Sequence, residues 1–165
     1  LYTIIIFKLV KNIMYYYDTR MGFKYGVWIV LNAKDIDASI KFIPHVTVMC
    51  NMSYDNAYEY YRELLWRGYE KINIVIHRPT ILFQNMYKDS PMVSWGHYVT
   101  MHPKTYLDME NLSEKYKGSF SDNPHISLGY TTVQGGDYKG KDKIQGTICL
   151  VDITSDNPRM WKIIV

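Results

Sequence analysis

Most apolar runs of this chain are short, rich in β-branched and aromatic residues, and bounded by Gly, Pro or polar turn residues, so they read as strands. Lys24 to Leu31 (Lys-Tyr-Gly-Val-Trp-Ile-Val-Leu) is too apolar to expose both faces and reads as a central strand. Asp35 to Phe42 reads as a short helix or turn, and Ile43 to Cys50 as the next strand. Ser53 is a suitable N-cap for a helix over Tyr54 to Arg67, with Ala57, Tyr58, Tyr61, Leu64 and Leu65 as its apolar stripe and Gly68 as its stop. Lys71 to Ile76 and Thr80 to Asn85 read as strands separated by Arg78-Pro79, Lys88 to Pro91 as a loop, and Trp95 to Met101 as a further strand. A second helix is expected over Lys104 to Lys117 after Pro103, with Leu107, Leu112 and Tyr116 facing the core and Gly118 ending it. The segment after Gly118 supplies another strand, Thr131 to Lys143 a glycine-containing turn, and Thr147 to Thr154 and Arg159 to Val165 two closing strands. Strand, helix, histidine strand and helix thus recur loosely in both halves, without any repeat of residues beyond one short motif.

At 165 residues the chain is one domain or two small lobes sharing a sheet, and it is long enough to bury a substantial core. Residues 1–20 read as an added edge strand and linker; the run Leu1 to Phe7 is too short to cross a bilayer and is followed by Lys8 and Lys11. It lacks the features of a signal peptide, so an intracellular, cytoplasmic location is expected. The formal charge of +3 suits a small phosphorylated partner and is too low for a long duplex footprint. Cys50 and Cys149 read as buried free thiols or as one bridge, and no cysteine–histidine spacing suggests a zinc site.

The chemistry lies in a device written twice. His45 stands in Ile43-Pro44-His45-Val46-Thr47-Val48 and His125 in Asn123-Pro124-His125-Ile126-Ser127-Leu128, each preceded by proline and followed two residues later by a hydroxyl. Side chains alternate across a strand, so each histidine shares a face with its hydroxyl while the apolar residues between them enter the core. Imidazole changes charge near neutral pH, and two of them around one substrate can act as general base and general acid without a metal. A lone His-x-Thr is a weak signal; its duplication is not. His77, His97 and His102 do not show the pattern and read as surface, turn or core-edge residues.

The paired tetrads, eighty positions apart, resemble the motifs of the two-histidine (2H) phosphoesterase superfamily, which includes LigT-like RNA phosphodiesterases and phage or viral enzymes that cleave nucleotide signals. The resemblance implies an α+β, bilobal 2H-phosphoesterase-like fold, with central, mostly antiparallel sheets lining a cleft and helices packed outside. It also implies a metal-independent phosphodiesterase without cofactors, in which His45 and His125 move protons while Thr47 and Ser127 donate hydrogen bonds to the non-bridging oxygens. The order of acid and base is left open.

The expected partner is a nucleotide or short oligonucleotide, with neither long duplex nor membrane. Candidates for stacking on a base are Tyr130, Tyr25 and Trp161, and also Trp28, for which core packing is the simpler reading; Trp161 has that same alternative. Lys139, Lys141 and Lys143 place positive charge beside the second motif and could grip phosphate as part of a lid or simply coat a solvated loop, and Arg159 and Lys162 are similarly ambiguous. Abundant Lys, Asn, Ile and Tyr hint at an AT-rich genome, which fits a viral or phage enzyme degrading cyclic nucleotide immune signals in the host cytoplasm. The alternatives are an RNA-processing 2′,3′-cyclic or 2′,5′-phosphodiesterase, a nucleotide-binding module without turnover, and an interaction protein in which both histidines are incidental.

Overall fold

The structure, a computed structural model, describes residues 24–36, 40–83, 93–131, 138–155 and 157–165. The expected N-terminal extension, the Lys88 to Pro91 loop and residues 132–137 of the expected Thr131 to Lys143 turn lie outside the described residues.

Six strands hydrogen-bond into a closed antiparallel ring: β1 (Tyr25–Val30), β2 (His45–Met52), β7 (His125–Thr131), β5 (Val93–Met101), β3 (Lys71–Ile76) and β8 (Lys143–Asp152), with β8 returning to β1. Short strands β4 (Ile81–Phe83), β6 (Ser119–Phe120) and β9 (Lys162–Ile163) add to β5, β2 and β8. Closure gives each ring strand two hydrogen-bonded neighbours over part of its length and so limits open edges. The α+β class and the antiparallel pairing match expectation. All nine described strands belong to one sheet rather than to separate ones.

Three helices are described: α1 (Ala33–Ile36), α2 (Tyr54–Trp66) and α3 (Pro103–Ser113). Ser53 Oγ accepts the Asn56 amide at 3.3 Å, and Gly68, at φ +85°, turns the chain out of α2 in a conformation that costs other residues more. The buried face of α2 is Ala57, Tyr60 and Leu64, spaced i, i+3, i+7. Tyr58, one position and about 100° off that face, is exposed instead, and Tyr61 and Leu65 are half-buried at its margins. In α3 the same geometry buries Met109 and Leu112 and leaves Leu107 51% exposed, contrary to the sequence reading. The helix also ends at Ser113, four residues short of Lys117. The Tyr60 hydroxyl donates to the Met109 carbonyl at 3.0 Å and joins the two helices.

Alternation gives the ring two different faces. On β8, Ile144, Gly146, Ile148 and Leu150 are buried, while Lys143 and Gln145 between them are exposed; β3 buries Ile72, Ile74 and Ile76 between exposed Lys71, Asn73 and Val75. The buried isoleucines and Leu150 of these strands, with Val27, Ile29, Val46 and Ile126, form one cluster that also contains the buried apolar residues of all three helices. Burial of this face is the main drive to fold. The opposite face is mostly polar over β3, β8, β2 and β7, apart from exposed Val75 on β3 and a small cluster of Trp28, Cys149 and Val151 against which Trp161 packs. Both cysteines are free thiols. No described helix is long and apolar enough to cross a membrane.

Candidate functional site

The two motif strands lie side by side and antiparallel, with Val46 and Ile126 as Cα partners and both side chains fully buried. One residue further in each direction, the register sets His45 opposite Ser127 and Thr47 opposite His125. All four side chains leave the sheet on the polar face, because the residues between them enter the core. Partners directly across such a ladder have Cβ atoms about 5 Å apart and diagonal neighbours about 7–8 Å, so the two imidazoles, a diagonal pair, are near neighbours and each has a hydroxyl residue directly across the ladder.

Both motifs are anchored alike. His45 Nδ1 lies 2.7 Å from the Ile43 carbonyl and His125 Nδ1 2.9 Å from the Asn123 carbonyl. A carbonyl can only accept, so each Nδ1 carries a proton and each neutral ring presents Nε2 as a lone pair. The preceding prolines, which have no amide hydrogen to spend, use their carbonyls: Pro44 accepts from the Leu31 amide and Pro124 from the Val99 amide, both at 2.9 Å. The flanking strands correspond as well, β1 setting Val30 against His45 and Trp28 against Thr47, and β5 setting Tyr98 against His125 and Gly96 against Ser127.

The correspondence breaks at Trp28 and Gly96. Trp28 lies face to face with the His45 ring, centroids 3.5 Å apart and planes 7° apart, and Trp161 meets both rings edge-on at 5.3 and 5.8 Å. The Trp161 indole donates to the Ser155 carbonyl at 2.8 Å, which holds it there. On the other side, a Cβ on Gly96 would sit 1.8 Å from the Ile126 carbonyl oxygen, so the close approach of β5 to β7 admits no side chain. His45 is accordingly buried, and that burial lowers its pKa to about 4, against the opposing pull of the Ile43 carbonyl and with a small contribution from nearby His125. Burial also lowers the pKa of His125, against the Asn123 carbonyl, but His125 is the less enclosed of the two.

The other sequence candidates divide. Trp161 is brought to His45, and Trp28 serves as core and as ring neighbour together. Tyr25 packs instead against the apolar core, edge-on to Tyr54 at 5.4 Å. Tyr130 pairs through its backbone with Ser94, and its side chain lies outside the described residues. Lys141 is in an ion pair with Asp35 at 2.5 Å, which neutralises its charge; Lys139 is exposed, as are Arg159 and Lys162.

His102 caps α3 and His77 is exposed against Thr100, as a turn and a surface residue should be. His97 is fully buried rather than at the core edge, its Nδ1 shared between the His77 and Pro79 carbonyls. Sequence reading missed Tyr98, the Cα partner of His125, because nothing local marks which tyrosine of sixteen falls beside a motif strand. Among the described residues no group of three or more His, Cys, Asp or Glu is placed to hold a metal ion. The chain matches no protein-family model and no curated protein.

Proposed function

We propose that this protein is a 2H-type phosphodiesterase that cleaves a short RNA-like or cyclic oligonucleotide by general acid–base catalysis without a metal. One observation carries the reading: two His-x-Thr/Ser tetrads lie antiparallel on one face with both Nδ1 atoms anchored to the carbonyl two residues back. An isolated histidine pair has no need of matching tautomers, whereas proton transfer on two sides of one phosphorus does. The matching surroundings of the motifs on β1–β2 and β5–β7 also support a bilobal 2H arrangement in which each half contributes one motif.

Burial separates the roles. His45 is neutral near pH 7, so its Nε2 takes the proton from the attacking hydroxyl, whether that of water or of a ribose. The new P–O bond forms as the opposite P–O bond breaks, and the leaving oxygen receives the Nε2 proton of His125. A bound phosphodiester anion favours the protonated form of that more open imidazole. Thr47 and Ser127 hydroxyls donate to the non-bridging oxygens, where negative charge grows.

The test is mass spectrometry of products from a panel of 2′,3′-cyclic, 2′,5′-linked and cyclic oligonucleotide substrates in the presence of chelator. Wild-type protein should yield product, and the His45→Ala, His125→Ala double variant should be slower by about a hundredfold or more. Unchanged substrate throughout, with nucleotide bound, would favour a binding module.

A further inference from the structure

The polar face continues around the ring beyond the four motif residues. From His45 the register runs through Val30 to Thr147 and then to Lys71, with no shift along β8. At the usual strand separation, Thr147 lies about 10 Å and Lys71 about 14 Å from the His45 position along the sheet. One step further, Asn73 stands opposite Gln145, and beyond them Val75 stands opposite Lys143. All six side chains share the face of the histidines, and none is a carboxylate, although the chain carries sixteen acidic residues. Neither Lys71 nor Lys143 is in an ion pair among the described residues; Lys71 donates to Thr147 Oγ1 at 2.7 Å. Gln145 Nε2 donates to Asn73 Oδ1 at 3.2 Å; both side chains are exposed, and this bond uses neither the Asn73 amide hydrogens nor the Gln145 carbonyl oxygen.

From this arrangement we infer a second nucleotide subsite, in which the Asn73–Gln145 pair reads a base edge and Lys71 and Lys143 flank it to meet phosphates. The substrate is therefore an oligonucleotide of two or more nucleotides, not a mononucleoside cyclic phosphate. An amide donor beside an amide acceptor complements adenine's N7 and N6. Cations at both ends of the pair match a chain that carries one phosphate per nucleotide. The proposal rests on the phosphodiesterase reading and extends it.

Adenylates are the appropriate probes. Rates are measured on adenosine 2′,3′-cyclic monophosphate, linear 2′,5′-linked triadenylate and cyclic 3′,5′-triadenylate with wild-type protein, the Asn73→Ala, Gln145→Ala double variant and Lys71→Met. These side chains are exposed, so the variants should fold as wild type does. Wild type should favour one of the triadenylates over the monophosphate in kcat/KM by tenfold or more, and each variant should reduce that preference by tenfold or more through KM. Equal kcat/KM for mono- and triadenylate, or a preference that survives in all variants, overturns the subsite and leaves the phosphodiesterase reading standing. If no adenylate or other member of the nucleotide panel is cleaved, the phosphodiesterase reading falls and takes the subsite with it.

Discussion

Enclosure of His45 should make the fold sensitive to mild acid. In the unfolded chain this imidazole titrates at its ordinary value of 6.5, whereas in the folded protein burial under Trp28 and Trp161 brings it to about 4. Between those values the unfolded state binds more protons, so stability rises with pH there and is lost as pH falls. The contribution is fully present above pH 6.5, is reduced by about 2 kcal/mol at pH 5, and has fallen by about 3 kcal/mol once the folded form also protonates. Against a typical stability of about 5–15 kcal/mol, that is a large fraction. The direct assay is urea unfolding at pH 7 and pH 5 for wild type and His45→Gln, with the slope checked for constancy. His125 and other groups titrate in both proteins, so the difference between the two pH dependences isolates His45. Wild type should lose about 2 kcal/mol more than the variant between the two pH values. Equal losses, or a His45 ring resonance titrating near 6.5, would refute the enclosure argument.

Further expectations follow from the same geometry. In the proposed mechanism kcat/KM would require neutral His45 and protonated His125, and since burial lowers both, the pH optimum should lie on the acid side of neutrality; a profile still rising above pH 7 would contradict the role assignment. Trp161→Ala should cost about 2 kcal/mol, because the ring is only half-buried, and should move the His45 titration upward by NMR as water reaches the ring. Gly96→Ala would force a Cβ against the Ile126 carbonyl and push β5 from β7; the unfolding free energy should fall by about 1–3 kcal/mol, and backbone amide shifts around Ser127 should move. Tyr60→Phe leaves the Met109 carbonyl without its donor and should lower the unfolding free energy by about 1 kcal/mol while sparing nucleotide cleavage.

The features legible along the chain are local and periodic. The strand around each motif, the Ser53 cap, the Gly68 stop and the sharing of a face by each histidine and its hydroxyl follow from spacing, φ preference and alternation, which neighbours in the chain control. Helix facing was legible only in part: one position separates Tyr58 from the true stripe, and Leu107 is apolar yet turned outward, because the packing partner rather than hydropathy selects the face. The tertiary structure alone decided that Val46 meets Ile126, and with it that both tetrads join. It also decided that Trp28 covers His45 while its counterpart is Gly96, and that Lys71, Asn73 and Gln145 continue the same polar face. Pairing between strands far apart in the chain depends on sheet closure and register, and neither leaves a mark on the residues beside a motif.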